Sequence, residues 1–305
     1  MAEFSIIDLY IKRTSKTDVS LGIGDDSAVI TPPASQQLVI CADTLVAGRH
    51  FPLDTAAHAI GWKSVAVNLS DLAAMGAKPH SILLALSLPT IDHDWLAGFS
   101  QGLFDCCDQF GVSLIGGDTT QSTQLTISVT ALGWIEHGQA VTRAGAQVGD
   151  YICVSGQIGD AAFGLQHLGH ALQQRLDYPT PRCLLGQQLK SVASSMIDIS
   201  DGLAQDLGHI LKASDVGAKL FLDQIPIDKS LKLLDKQQAW HYALAGGDDY
   251  ELCFTISPQN FEKLSRQQLD VPLTIIGKIT QQTGLLFEYM GENCPLQIHG
   301  YQHFA

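Results

Sequence analysis

Apolar residues in the first half of the chain follow helical spacing in some segments and strand-like runs in others. The clearest predicted helix covers residues 56–77, which are rich in alanine, lack proline and place Gly76 where a helix C-cap is expected. Further helices are predicted over Asp94–Phe110 and Phe4–Arg13. Strands are predicted, from β-branched and apolar residues, at Gln37–Ala42, His80–Leu88, Val112–Ile115 and Leu125–Ile135.

The second half begins after a polar, glycine-containing stretch, Glu136–Asp150, which predicts a boundary between domains at residues 1–138 and 139–305. Helices are predicted at Ala161–Leu168, Cys183–Ser194 and Leu203–Ala213. Strands are predicted at Tyr151–Val154, Ser195–Ile199, Ala218–Leu222, Tyr250–Ile256 and Leu273–Ile276. Strands mixed with helices favour an α/β or α+β fold, and 305 residues fit two domains of about 150 residues.

The charge balance excludes some partners. Acidic residues outnumber basic ones by 31 to 18, so a generic nucleic-acid binder or a protein of anionic membrane surfaces is not expected. No apolar run approaches the ~18 residues of a membrane span, and the start of the chain does not resemble a secretory signal. Seven cysteines without a C-x-x-C pair argue against a disulfide framework or zinc site. We expect reduced thiols and a cytoplasmic location.

Aspartates are the most informative polar feature, and we expect them in turns that end strands or begin helices. They are Asp25, Asp26, Asp43, Asp118, Asp198, Asp201, Asp248 and Asp249. Each one alone is an ordinary turn residue or helix N-cap. As a set, they raise the question of whether they share one site.

Asp71 is different because its predicted helix is apolar nearly all round, with only Ser64 and Asn68 on the same line. A buried carboxylate needs a partner, and a cation would supply one. Converging carboxylates repel by ~4 kcal/mol per pair at 4 Å and an effective dielectric of ~20, so such a site requires cations. Oxygen ligands favour Mg²⁺, which in turn suggests phosphate chemistry. P-loop, dinucleotide-binding and protein-kinase motifs are absent.

The motifs as a set resemble the thiamine-monophosphate kinase family, in the same order over nearly the whole chain. They are GIGDDSAV, DTLVAGRHF, NLSDLAAMGAKP, IGGDTT, TRAGAQVGD, SGQIGDAAFGL, IDISDGLAQDLGHI, GGDDYELCF and the ending GYQHFA. The resemblance implies a two-domain aminoimidazole-ribonucleotide synthetase-like fold, whose N-terminal domain forms a β-barrel across a homodimer and whose C-terminal domain is α/β. It also implies Mg²⁺-dependent transfer of the ATP γ-phosphate to thiamine monophosphate, the last step of thiamine diphosphate biosynthesis.

The resemblance also implies a role for individual residues. Several Mg²⁺ ions would be held by Asp26, Asp43, Asp71, Asp118, Asp198 and Asp201, with main-chain carbonyls of Cys41 and Ala42. The nucleotide would contact Gly117, Asp118, Arg143 and Ser200, and thiamine monophosphate would contact His50, Asp248 and Tyr301. This chain has Cys41 and Ala42 where the family often has Ser and Thr, and Asp248 where the family usually has Glu.

Other interpretations remain. Arg143 also fits a linker charge, His50 a structural histidine and Tyr301 a tail residue. Two other enzymes of the superfamily are disfavoured: selenophosphate synthetase would need a reactive N-terminal cysteine or selenocysteine, and the hydrogenase-maturation dehydratase would need a C-terminal cysteine. A non-catalytic nucleotide- and Mg²⁺-binding module stays open. For a kinase, the acceptor phosphate has a second pKa of ~6, so no general base and no phosphoenzyme are expected.

Overall fold

The computed structural model describes residues 3–13, 18–296 and 298, and the chain separates into two compact units. The N-terminal unit comprises Met1–Leu72 and Ala77–Gly138. The C-terminal unit comprises Gln139–Ala305 together with Ala73–Gly76. None of the described helices is both long and apolar enough to cross a membrane.

The N-terminal unit is built on a four-stranded sheet. Its helices are α1 (Glu3–Ile6, continued by a π-helical turn Ile7–Ile11), α2 (Ala57–Ala74) and α3 (His93–Phe110). Its strands are β1 (Val19–Leu21), β2 (Val29–Ile30), β3 (Gln36–Val46), β4 (Lys78–Leu88), β5 (Ser113–Gln121) and β6 (Thr126–Glu136). β1 pairs with β2, and the larger sheet has the order β3-β6-β4-β5, in which only β4 and β5 are parallel.

The helices cover one face of this sheet. Leu72 of α2 reaches Gly133 in β6, and α3 packs closely on α2 because glycines leave room at the crossing. A Cβ at Gly102 would lie 1.9 Å from the carbonyl oxygen of His58, and one at Gly61 would lie 2.0 Å from that of Phe99. The close approach of the two backbones therefore requires glycine at both positions.

The other face of the sheet, termed the open face, consists of alternate residues on the four strands. It includes Leu38, Ile40, Ala42 and Thr44 of β3, Ser128, Thr130 and Leu132 of β6, Leu83 and Ala85 of β4, and Asp118 of β5. Ile40 is 58% exposed and Leu38 is 41% exposed. An apolar sheet face normally needs a covering layer, so this face is suited to contact with another surface.

Two aspartates expected in turns lie inside strands instead. Asp43 is in the middle of β3, and Asp118 lies in β5, which continues through Gly116 and Gly117. The register shift beside β4 places an extra residue in β5 before this point. A Cβ at Gly117 would lie 1.8 Å from the carbonyl oxygen of Leu84, so the glycine permits close strand approach and does not form the expected turn.

The C-terminal unit contains a seven-stranded sheet. Its helices are α4 (Asp160–Gln166), α5 (Gln173–Asp177), α6 (Cys183–Leu189), α7 (Leu203–Ser214), α8 (Lys236–Ala245) and α9 (Pro258–Leu264), with a 3₁₀ turn at Leu231–Leu233. Its strands are β7 (Tyr151–Ser155), β8 (Ala193–Asp198), β9 (Gly217–Phe221), β10 (Leu252–Ile256), β11 (Leu273–Thr280), β12 (Gly284–Tyr289) and β13 (Glu292–Asn293). The order is β13-β12-β9-β11-β7-β10-β8, and the apolar stripe of α7 contributes to the core beneath it.

The mixture of strands and helices is confirmed, whereas several predicted boundaries are wrong. The predicted helix Cys183–Ser194 ends at Leu189, because Ala193 already begins β8 and pairs with β10. The helix predicted over Phe4–Arg13 is a short α-helical turn followed by a π-helical one. The bounds of β8 depend on its pairing with β10. Strand β12, which pairs with β9, was not predicted from the sequence.

Candidate functional site

Three predicted metal ligands meet on the helix-covered face of the N-terminal sheet. Cys41 and Asp43 alternate along β3, and the negative charge of Asp71 on α2 acts on the Cys41 thiol. Burial, followed by the negative charges of Asp71 and Asp43, raises the pKa of the Cys41 thiol. Cys41 therefore remains a protonated donor at neutral pH, and two carboxylates lie beside it.

Asn68 explains why these two carboxylates are neighbours. It is fully buried on α2, and its Oδ1 accepts a hydrogen bond from the backbone N–H of Asp43 at 3.0 Å. Its Nδ2 donates to the carbonyl of Ser64 at 3.0 Å, and its own carbonyl accepts from the Cys41 thiol at 3.3 Å. The polar line on α2 was expected to need a cation, but Ser64 and Asn68 are satisfied by the protein itself.

Asp26 and Asp118 are not brought into this pair. Both are exposed, and Asp26 donates its backbone N–H to Asp25 Oδ1 at 3.0 Å. Asp43 and Asp118 lie on the two edge strands, about 14 Å apart at a strand spacing of about 4.8 Å, and their side chains leave opposite faces of the sheet. Within the described part of the chain, no group of three or more His, Cys, Asp or Glu side chains is arranged to hold a metal ion.

A cavity of about 470 Å³ lies in the N-terminal unit, and its lining includes Thr119, which directly follows Asp118 in the chain. Thr119 and Thr120 line it together with apolar side chains of Leu88 and Ile91. A cavity with apolar walls and a few hydroxyl groups can receive a planar heterocycle.

In the C-terminal unit, Asp198 ends β8, and the turn between β8 and α7 carries Ser200 and Asp201. Asp206, to which the sequence assigned no role, holds this turn: its buried carboxylate accepts the backbone N–H groups of Ser200 at 3.0 Å and Asp201 at 3.1 Å. Burial, followed by the charge of Asp198, raises the pKa of Asp206 to about 7. The available signal was an acidic residue on the apolar stripe of α7, just before Leu207.

The segment before β10 is bonded to the same turn. The backbone N–H of Asp248 donates to the carbonyl of Ser200, and that of Tyr250 donates to the carbonyl of Ile199, both at 2.9 Å. A Cβ at Gly247 would lie 2.5 Å from the Ser200 oxygen, so glycine is required there. The structure thus brings together four predicted site residues of this unit, namely Asp198, Ser200, Asp201 and Asp248.

Behind this segment, Glu251 is fully buried among cationic and hydroxyl donors. It accepts hydrogen bonds from Arg175 Nη2 at 2.6 Å, from Arg182 Nε at 2.7 Å and from Ser155 Oγ at 2.5 Å. The sequence assigned no role to any of these residues. Because charge-assisted hydrogen bonds are strong in a buried setting, they fix the backbone where β10 begins.

Two further buried carboxyls, Asp160 and Asp249, lie next to this ion cluster. Each has one oxygen, Oδ1, without a hydrogen-bond partner. Burial raises the pKa of Asp160 to about 6, against the opposing charge of Arg175, and burial raises the pKa of Asp249 well above its usual value. Asp249 Oδ2 accepts the N–H of Gly159 at 2.8 Å. Both carboxyls consequently retain a proton to higher pH than an exposed aspartate.

The remaining predicted contacts are placed as follows. His50 Nδ1 accepts the backbone N–H of Val46 at 3.0 Å, so the ring is oriented by the turn after β3. Arg143 is exposed, and its carbonyl accepts a hydrogen bond from Ser214 Oγ at 3.3 Å. Tyr301 lies outside the described residues.

Comparisons with known proteins match both units. Family models described as AIR synthase related protein match residues 24–135 with the N-terminal domain and residues 147–288 with the C-terminal domain. The Escherichia coli (strain K12) protein named thiamine-monophosphate kinase is 46% identical, covering 99% of this chain and 98% of that protein. The thiamine-monophosphate kinase structure from Stenotrophomonas maltophilia K279a is also 46% identical, with a TM-score of 0.86 over 96% of this chain and 98% of that chain. The structure named AaThiL complexed with AMPPCP and TMP is 30% identical, with a TM-score of 0.80 over 99% of this chain and 97% of that chain.

We predict that Asp160→Asn becomes more stable relative to the unsubstituted protein as pH rises from about 4 to about 6. The unfolded carboxyl titrates near pH 3.9, whereas the folded one keeps its proton to about pH 6. Across this window the unfolded chain with Asp160 ionises first and is stabilised, whereas Asn does not titrate, so only the unsubstituted protein loses stability. The charged groups that act on this carboxyl are the same in both proteins: Arg175, Asp228, Glu251 and Asp249.

Thermal unfolding midpoints measured across that pH range test this prediction. Asp215→Asn is the control, because Asp215 is an exposed carboxyl in a left-handed conformation that Asn also tolerates. A difference between Asp160→Asn and the unsubstituted protein that stays constant with pH would contradict the assignment.

Proposed function

The chain belongs to the thiamine-monophosphate kinase family, and on that premise we propose that it transfers the γ-phosphate of ATP to thiamine monophosphate, the last step of thiamine diphosphate biosynthesis. Identity of 46% over nearly the full length of a curated relative supports this reaction. A 30% identical structure is named as a complex with AMPPCP and TMP, an ATP analogue and the acceptor. The observation that carries the proposal is the hydrogen-bonded unit of the Ser200 turn and the Asp248 segment, which links the proposed nucleotide-binding and acceptor-binding groups.

We assign several Mg²⁺ ions to the aspartates. Asp43 and Asp71 fit this role because the charges of both carboxylates act on a thiol that stays protonated, and Mg²⁺ prefers oxygen to sulfur. In the C-terminal unit, the proposed Mg²⁺ ligands are Asp198 and Asp201. In the N-terminal unit, the further proposed ligands are Asp26, Asp118 and the carbonyls of Cys41 and Ala42. When bound, Mg²⁺ would neutralise the charge of the phosphates.

The transfer needs no general base. The terminal phosphate of thiamine monophosphate is mostly dianionic at pH 7, so one of its oxygens attacks the γ-phosphorus directly while the bond to the β-phosphate oxygen breaks and ADP leaves. The Arg143 guanidinium is suited to hold phosphate oxygens of the nucleotide. The protein's role is therefore to align two polyanions, and no phosphorylated enzyme forms.

We assign the cavity beside Gly117 and Asp118 to the nucleotide. Its apolar walls and threonine hydroxyls suit the adenine base, and its position after Asp118 leaves the phosphates near that carboxylate. His50, Asp248 and Tyr301 are assigned to the thiamine monophosphate side.

We further propose that the protein is a homodimer formed through the open face of the N-terminal sheet, as in the barrel implied by the family resemblance. A second copy is the proposed occupant because an exposed sheet face with Leu38 and Ile40 is self-complementary when two copies are related by a two-fold axis. A cytoplasmic location is proposed because all seven cysteines lie in the described part of the chain and none forms a disulfide.

Acceptor-dependent release of ADP tests the proposed reaction. With ATP and Mg²⁺, we expect turnover with thiamine monophosphate but not with thiamine or without acceptor, and an equal amount of thiamine diphosphate should form. ADP release that is independent of acceptor would indicate an ATPase. Nucleotide binding without turnover in any arm would indicate a non-catalytic binding module.

Asp71→Asn and Asp43→Asn should each lower the turnover rate by roughly 10²-fold or more, because each removes a charge proposed to hold Mg²⁺ beside the reacting phosphates. The fold should persist, since Asn has nearly the same size as Asp. Steady-state ADP release and thermal unfolding measure the two effects. Asp94→Asn, at an exposed position in the first turn of α3, is the matched control. A near-normal rate for Asp71→Asn would remove Asp71 from the metal site.

Ile40→Glu should convert a dimer into a folded monomer, because it places a charge at an exposed apolar position of the open face. Light scattering after size-exclusion chromatography measures the mass. Leu233→Glu is the control, since Leu233 is 88% exposed on the C-terminal unit and its substitution should leave the mass unchanged. A monomeric unsubstituted protein, or a dimeric Ile40→Glu variant, would contradict this interface.

A further inference from the structure

Two residues of the segment before β10 adopt a backbone conformation that side chains rarely occupy. Asp248 has a φ of 62° and Tyr250 a φ of 51°, and both are left-handed although neither is glycine. Such residues persist only where the surrounding structure holds them, and they concentrate at functional sites.

The left-handed conformation brings the two side chains together. The Tyr250 hydroxyl donates a hydrogen bond to Asp248 Oδ1 at 2.9 Å. Tyr250 is only 8% exposed, whereas Asp248 is half-buried. A buried, rigid ring therefore presents its hydroxyl to a carboxylate that reaches the surface, and the bond fixes the rotation of that carboxylate.

The backbone on both sides of this pair is anchored independently of the hydroxyl. Asp248 and Tyr250 donate their N–H groups to Ser200 and Ile199, and Asp249 Oδ2 accepts the N–H of Gly159. Glu251 follows immediately and is held by Arg175 and Arg182. Removal of the Tyr250 hydroxyl should consequently remove a hydrogen bond that orients the Asp248 carboxylate without moving the chain.

We propose that Tyr250 is a positioning residue for the acceptor: it holds the Asp248 carboxylate in the orientation that binds the thiamine part of thiamine monophosphate. The inference rests on the proposed function. Thiamine offers a cationic thiazolium ring and an amino group on its pyrimidine, and an oriented carboxylate attracts the first and accepts a hydrogen bond from the second. Because Asp is one methylene shorter than Glu, its reach depends strongly on being held in one orientation.

Tyr250→Phe tests the role of the hydroxyl. We expect the KM for thiamine monophosphate to rise about 10-fold, on the scale of one hydrogen bond to a charged group, while kcat and the KM for ATP change by less than about 2-fold. A role confined to stability would change the unfolding midpoint but would not raise the KM for the acceptor alone.

Tyr242→Phe is the matched control. Tyr242 is also buried in the C-terminal unit, and its hydroxyl donates to Gln166 Oε1 at 2.7 Å, away from the proposed site. Its variant should show the same small change in unfolding midpoint as Tyr250→Phe and no change in either KM. An equal rise in the acceptor KM in both variants would overturn the proposal.

A double-mutant cycle separates action through Asp248 from an independent contact. Asp248→Asn should itself raise the KM for thiamine monophosphate, and adding Tyr250→Phe should change it by less than about 2-fold. The proposal would be overturned if the two substitutions raised the acceptor KM multiplicatively in the double variant. It would also be overturned if Tyr250→Phe had the same acceptor KM as the unsubstituted protein. Absence of turnover in the unsubstituted protein would instead refute the proposed function, so the two failures are distinguishable.

Discussion

A carboxylate removed from water must find donors or opposite charges, and the C-terminal unit is organised around this requirement. Glu251 is fully buried and meets it with Arg175, Arg182 and Ser155. Losing a partner of a buried charge is destabilising, typically by about 3–5 kcal/mol when the charge is left uncompensated. The cluster thereby ties the start of β10 to β7, to α5 and to the residue before α6.

This anchoring makes an otherwise unfavourable backbone possible next to it. Asp248 and Tyr250 keep left-handed conformations because both neighbours in the chain and the turn at Ile199 and Ser200 hold them in place. Asp206 holds the same turn from the other side through two backbone N–H groups. The turn and the segment before β10 are therefore held together by several backbone hydrogen bonds.

The N-terminal unit reaches a similar result with a neutral side chain. Asn68 joins α2 to β3 by hydrogen bonds to backbone groups, so that Asp43 and Asp71 lie together beside Cys41. A buried amide costs little when its donors and acceptors are satisfied, whereas a buried charge there would demand a partner of its own. Leu38 and Ile40 on the opposite face of the sheet remain exposed.

The sequence by itself determined the kinds of elements, the family, and the list of acidic residues, because apolar periodicity and contiguous motifs are local properties of the chain. It placed Asp43 and Asp118 in turns, which is wrong, because β3 pairs with β6 through Asp43 and Gly117 lets β5 approach β4 closely beside Asp118. Only the tertiary structure decided the partners of Asn68, Asp206, Tyr250 and Glu251. Glu251 and Arg175 are 76 residues apart in the chain, and no local pattern specifies a hydrogen bond over that separation. Such pairings follow from how whole elements pack, since the cost of leaving a buried polar group unmatched is met only once the fold is complete.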